Sequence, residues 1–296
     1  MKKPIFAGAG VAIVTPFKDG TLKINFQLFE ELINEQIESG TDAIVVCGTT
    51  GEKSTLVYDE HIESIKVAVN VAKGRVPVIA GIGSNDTMHV VILSNDVEKC
   101  GVDGLLTVTP YYNKASQDGL IESYSYIEER VSTPIILYNV PSRTGVNISL
   151  DTYKVLCKHK NIVATKEASG NISAIAQIIE ACGDELDVYS GNDDQIVPIM
   201  SLGGKGVISV LSNVVPLETH NITEYCLNND FAKARELANK YLTLANDLFL
   251  DVNPIPAKEA MNMMGLEVGP CRLPLVPMAE NTSKKLLETL KKYNLA

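Results

Sequence analysis

The sequence predicts an α/β protein: a (β/α)8 TIM barrel carrying a C-terminal helical appendage. Three observations predict it. Short β-branched, apolar runs alternate with helix-sized periods, the runs number eight, and they stop well before the chain does, where amphipathic helices continue alone. Near-continuous hydrophobicity is what parallel strands covered on both faces show, and eight strand-helix units with right-handed crossovers close into a barrel. The competing architecture is an open doubly wound sheet. The first run lacks a GxGxxG turn, so nothing favours a dinucleotide site.

The expected strands are 11–15, 43–46, 76–80, 104–108, 134–138, 162–166, 187–190 and 206–210. The first lies in "MKKPIFAGAGVAIVTPF", which also imitates a secretory signal. Pro4 and the glycines interrupt its apolar region and Thr15-Pro16 ends it like a turn, so a first strand is the better reading. Next comes "NFQLFEELINEQIESG", with Phe26, Phe29, Leu32, Ile33 and Ile37 on one helical face and Gly40 as terminator. Ile62, Ile65, Ala68, Val69 and Ala72 repeat that pattern after the second strand, and the later gaps are also helix-sized. From about Leu217 onward strands give way to helices: Leu237, Tyr241, Leu244 and Leu248 share a face, "NPIPAKEAMNMM" places Pro256 in a helix's first turn, and "SKKLLETLKKY" is amphipathic. Residues 1–224 are read as the barrel with the active site and 225–296 as the helical domain.

Composition narrows the function. A net charge of −10 argues against a nucleic-acid partner, because phosphates need a basic surface. No apolar run reaches the length of a membrane span, and no polybasic anchor is present. The six cysteines contain no CxxC pair, which reads as reduced thiols in a cytoplasm. The four histidines, at 61, 89, 159 and 220, form no HxxxH or HxH pair, so no metal is expected and ordinary roles suit them all.

In a barrel, residues just past the strands' C-terminal ends share one mouth. Those positions read "CGTTGEKS", "TPYYNKAS", "YNVPSRTG", Lys166, "SGNDD" and "SVLSN". Lys166 ends an apolar strand. The ordinary fate of a lysine is a packed stem with its head in solvent; an anion contact is a second reading. The third is a Schiff-base nucleophile, which needs the neutral amine, and burial disfavours the charged form. Context at the mouth favours the nucleophile. Tyr138, ending the neighbouring strand, either caps the barrel core or shuttles the protons that carbinolamine chemistry moves. Thr49 and Thr50 either cap the next helix or cradle a carboxylate. Arg143 either pairs with a surface acid or grips a substrate carboxylate through two parallel bonds. Of Tyr111 and Tyr112, one ring would pack and the other project, even across a subunit boundary; the sequence leaves open which.

Taken in order, "VAIVTPF", "GTTGE", "TPYYNK", "YNVPSRTG", "KEASGN", "SGND", "GGKGVISV" and "NPIPAKEAM" make the chain resemble the dihydrodipicolinate synthase family across nearly its whole length. That family sits in the pyruvate-dependent class I aldolase group, with N-acetylneuraminate lyase. The resemblance implies condensation of pyruvate with L-aspartate-4-semialdehyde on the way to diaminopimelate and lysine, with no cofactor. It implies that Lys166 forms the iminium with pyruvate and that Tyr138, Thr49 and Tyr112 relay protons, Tyr112 reaching in from a partner subunit. Thr50 would hold pyruvate's carboxylate, Arg143 would bind the semialdehyde's, and Gly191 and Ile208 would line the pocket. A homotetramer built as a dimer of dimers, or a homodimer, is implied as well.

One feature departs from feedback-sensitive relatives. Asn85, His61 and Tyr111 fit their lysine-binding pattern, but Lys53 replaces a serine, Tyr58 a histidine and His89 a glutamate, so little or no inhibition by lysine is expected. A sibling sugar-acid lyase is the runner-up, disfavoured by Arg143 and by GTTGE where such lyases tend to read GSTGE. A metal-dependent aldolase lacks its histidine cluster, and a non-catalytic keto-acid-binding barrel would have no evident need of Lys166 with Tyr138.

Overall fold

The computed structural model describes residues 2–296. Eight parallel strands close into one barrel in chain order: β1 (Gly8–Ala12), β2 (Ala43–Val46), β3 (Val78–Gly81), β4 (Gly104–Val108), β5 (Ile135–Asn139), β6 (Ile162–Glu167), β7 (Asp187–Ser190) and β8 (Gly206–Ser209). Around them run α1 (Phe26–Glu38), α2 (Tyr58–Ala72), α3 (Thr87–Glu98), α4 (Gln117–Glu128), the single turn α5 (Pro141–Thr144), α6 (Leu150–Leu156), α7 (Ile172–Cys182), α8 (Ile196–Ser201) and α9 (Pro216–Leu227). The appendage is α10 (Phe231–Asp247), α11 (Ile255–Met263) and α12 (Glu280–Lys292). The expected division at 224/225 falls within α9. Among the described residues no helix is long and apolar enough to cross a membrane.

Five strands, β1, β3, β5, β6 and β8, have bounds that differ from the reading of the sequence, and in two of them packing shows why. The first begins at Gly8 rather than Val11, so the barrel closes through glycines that strand propensity disfavours. The reason is contact: Gly8 pairs with Gly206, and a Cβ on Gly206 would stand 1.9 Å from the Gly8 carbonyl oxygen. At φ +154° Gly206 also adopts backbone that side chains resist. The third strand ends one residue later, at Gly81, where a Cβ would meet the Cys47 carbonyl oxygen at 2.2 Å.

Alternation along the strands sorts two cores. Outward side chains such as Val11, Ile44 and Ile135 join the large cluster beneath the helices, whereas Ile79, Leu106, Tyr138, Tyr189 and Ile208 fill the barrel itself. Helix α1 buries Phe29, Leu32 and Ile33 and is capped by the Asn25 side chain. Six unpaired cysteines are spread over these layers, four of them buried.

The appendage is fastened to the barrel by charge as well as packing. Lys258 of α11 and Glu52, in the turn after β2, form an ion pair at 2.9 Å with side chains 2% and 1% exposed. Lys258 Nζ also donates to the carbonyls of Thr15 and Pro270, and Glu52 accepts from the Arg272 amide.

Candidate functional site

Strand β6 alternates, and the alternation aims Lys166. Thr165 and Glu167 point outward to α6, where the Tyr153 hydroxyl hydrogen-bonds both, at 3.0 and 2.8 Å. Lys166, between them, therefore faces the barrel interior and is 6% exposed. Its neighbours in register are Tyr138 of β5 and Tyr189 of β7. The ammonium lies 4.6 Å from the centroid of the Tyr138 ring. Among the described residues no carboxylate comes within ion-pairing distance of it.

Glu167 anchors the strand from behind. Its carboxylate accepts from Asn139 Nδ2 at 2.6 Å, from Tyr153, and from the Ser169 amide and hydroxyl. Burial and the Glu167 charge push the Tyr153 phenol well above its ordinary range, so it stays protonated and donating. Gly191 donates its amide to the Glu167 carbonyl at 2.7 Å, and a Cβ there would stand 2.6 Å from the Ala168 Cβ. The tight seam beyond β6 and β7 thus needs a glycine.

On the other flank Asp193 closes the mouth. It accepts from the Ser209 hydroxyl and from the amides of Val210 and Leu211, just past β8. Burial raises its pKa; those bonds and the Lys166 charge pull it back down.

A cleft of about 200 Å³ opens above Tyr138. Thr49, Tyr138, Arg143, Lys53 and Tyr111 line it together with small residues; the lining holds two cations and no carboxylate. That is a place for a small anion. Lys53 donates to the Gly83 carbonyl at 2.5 Å, and burial lowers its pKa. Nearby His61 is buried, and burial together with the Lys53 charge pushes it down to about 4, so it is neutral near pH 7. Tyr58 donates to Asp96, and His89 is exposed. A larger groove of about 810 Å³ between barrel and appendage carries none of the candidate residues.

The structure does not gather every candidate into that cleft: Lys166, although it packs against the Tyr138 ring, is not among the lining residues, nor is Gly191. Thr50 is buried behind it, accepting from Asn253 Nδ2 at 3.0 Å. Ile208 packs in the barrel interior with Tyr138. Tyr112 is 90% exposed at φ +74° and stands clear of its own chain's cleft. Sequence reasoning missed Asn253, whose carbonyl accepts from Arg143 at 3.2 Å, although "NPIPAKEAM" was in view as a helix start. Asp193 was likewise visible only as part of "SGNDD", with nothing local to mark it.

The arrangement can bind a small carboxylate beside an amine, a phenol and a hydroxyl, the parts that Schiff-base chemistry uses. The chain matches the model of the dihydrodipicolinate synthetase family over residues 5–293. It is 55% identical over 292 residues to a 4-hydroxy-tetrahydrodipicolinate synthase of Caldicellulosiruptor saccharolyticus, covering 99% of this chain and 98% of the relative. Its likeness to the same enzyme of Acetivibrio thermocellus is 50% over 295 residues and all of both chains. The crystal structure of dihydrodipicolinate synthase from Aquifex aeolicus superposes with a TM-score of 0.95 at 45% identity, covering 98% of this chain and 99% of that one. The Thermotoga maritima structure gives 0.96 at 40%, covering 99% and 100%.

Proposed function

We infer the activity from one premise: this chain belongs to the dihydrodipicolinate synthetase family. It is a lyase that condenses pyruvate with L-aspartate-4-semialdehyde to 4-hydroxy-tetrahydrodipicolinate, on the route to diaminopimelate and lysine. The observation that carries the chemistry is Lys166, a buried amine facing the barrel interior over a phenol ring, with no carboxylate paired to it among the described residues.

The neutral amine attacks the keto carbon of pyruvate, and the carbinolamine loses water to give the iminium. The iminium draws electrons from the methyl group, which loses a proton and becomes an enamine. That carbon then attacks the aldehyde, whose oxygen gains a proton. The substrate's amine next attacks the iminium carbon, closing the ring and expelling Lys166 as free amine. Tyr138 and Thr49 share the cleft and exchange these protons. Tyr112, exposed on its own chain, would complete the relay from a second subunit, which fits assembly as a homotetramer or homodimer in the cytoplasm. Thr50 holds pyruvate's carboxylate, and Gly191 and Ile208 shape the pocket wall.

Arg143 separates this reading from a sugar-acid lyase, because a short semialdehyde with its own carboxylate needs a cation. Arg143→Ala is expected to lower kcat/KM for the semialdehyde ten- to about a hundred-fold, the worth of a charge-assisted hydrogen bond, while pyruvate still forms its adduct. A coupled assay beside borohydride trapping measures both, and unchanged semialdehyde turnover would count against the assignment. Lysine is expected to inhibit weakly or not at all. A cationic ligand at the Lys53 and Tyr111 end of the cleft would meet an ammonium already there. Strong inhibition at sub-millimolar lysine in the same assay overturns that expectation.

A further inference from the structure

We propose that Glu167 is a positioning residue of this site, its buried carboxylate fixing the Lys166 amine and the Tyr138 phenol against each other from the outer face of the sheet. The inference rests on the function proposed above. Strands β5 and β6 pair in parallel with Tyr138 beside Lys166 and, one step on, Asn139 beside Glu167. Side chains alternate along a strand, so the first pair faces the barrel interior and the second faces the helices. The outer pair is joined directly: Asn139 Nδ2 donates to Glu167 Oε1 at 2.6 Å. The Tyr153 hydroxyl of α6 donates to the same oxygen at 2.8 Å and meets the Thr165 hydroxyl at 3.0 Å, so it holds the residues on either side of Lys166. The second carboxylate oxygen accepts from the Ser169 amide and hydroxyl, just past the strand. Asn139 in turn holds the chain that follows Arg143, donating to Asn147 Oδ1 at 2.8 Å and accepting from the Ile148 amide at 3.1 Å. One carboxylate thus stands at the junction of the segments that carry the amine, the phenol and the guanidinium.

Stability alone does not account for a charge in this place. Glu167 is 1% exposed, and among the described residues no cation lies within ion-pairing distance of it. Burying a carboxylate without a counter-ion is costly, and well-packed apolar side chains often serve stability as well or better. Outward positions elsewhere on the barrel follow that rule, with Val11, Ile44, Val46 and Ile135 packed beneath the helices. What a carboxylate supplies and an apolar side chain lacks is direction: its bonds hold two strands and a helix at set distances. The inner pair needs such control. Lys166 Nζ lies 4.6 Å from the centroid of the Tyr138 ring. The phenol must come within about 3 Å of each atom with which it exchanges a proton. A misplacement of about 1 Å can cost on the order of a hundred-fold in rate.

The test is exchange of pyruvate's methyl protons for deuterium in heavy water, followed by NMR with no semialdehyde present. Each cycle forms the iminium on Lys166, passes a methyl proton to the relay and returns a deuteron, so the rate reports amine and phenol working together. Glu167→Gln keeps the shape but gives up one of the two acceptor oxygens. Its maximal exchange rate is expected to fall about five-fold or more, while the KM for pyruvate moves less than about three-fold. Tyr153→Phe removes a single oxygen and should show the same split, with a fall of about three-fold or more. Added to Glu167→Gln it should lower the rate less than about two-fold further, because both act through one carboxylate. Tyr124→Phe is the control: this phenol on α4 is also buried, but its oxygen has no partner, so exchange should match wild type. If either fall is smaller than stated, if rate and KM worsen together, or if Tyr124→Phe loses as much as Tyr153→Phe, Glu167 merely supports the fold and the proposal fails. Should Glu167→Gln not fold, Tyr153→Phe decides alone. Borohydride trapping of pyruvate accompanies each protein: no adduct in wild type refutes the proposed function and this proposal with it, whereas an adduct in wild type and variant with undiminished exchange refutes the role of Glu167 alone.

Discussion

Lys166→Ala is expected to lose the trapped pyruvate adduct and about three or more orders of magnitude in kcat, while the barrel stays folded. The loss is large because the covalent electron sink disappears with the Lys166 amine. Lys166→Arg is the sharper variant. It keeps the charge and much of the length, but guanidinium stays protonated and cannot attack a ketone. Were the residue only an anion contact, arginine would preserve activity; the nucleophile reading predicts it to be as inactive as alanine. Two other largely buried lysines serve as internal controls. Lys258 is committed to Glu52, and Lys53 donates to the Gly83 carbonyl. Peptide mapping after borohydride reduction distinguishes all three, and a pyruvyl label on Lys53 or Lys258 with Lys166 bare would sink the mechanism.

How far the sequence could be read follows from how local each signal is. Lys166 was legible because an apolar strand ending in a cation is an anomaly visible within six residues. The helices announced themselves by period and by end signals such as Gly40 and Pro256. The first strand was misplaced because its defining contact, Gly8 against Gly206, joins the first strand to the last, far apart in the chain. A glycine in isolation reads as a break, and only the closed barrel shows why nothing larger fits. Asn253 lay further out of reach: its bond to Thr50 spans 203 positions, and no pattern near either residue points to the other. Local propensity finds the elements and their ends. It does not find the side chains that one element sends to another.

Lys258→Met is expected to cost about 3–5 kcal/mol of stability, since it strands the Glu52 carboxylate in a buried site. Burial draws Lys258 below the ordinary lysine range and Glu52 opposes that shift, so the pair persists by mutual dependence and not by any advantage of either charge alone. Urea denaturation followed by circular dichroism measures the loss. Changing Glu52→Gln as well should recover most of it, because the second substitution removes the uncompensated charge; equal instability of single and double variants would show that packing, not pairing, is at stake. The effect should also reach the cleft. Glu52 sits at φ +53°, a left-handed conformation uncommon for a side-chain-bearing residue, and it ends the turn that carries Thr49 and Thr50. Lys258 and the Arg272 amide hold the carboxylate that keeps that turn in place. Without them the two threonines lose their fixed position relative to Tyr138, and turnover in Lys258→Met should fall at temperatures where the barrel is still folded. An unchanged unfolding midpoint together with full activity would mean that the appendage only covers the barrel and plays no part in shaping its mouth.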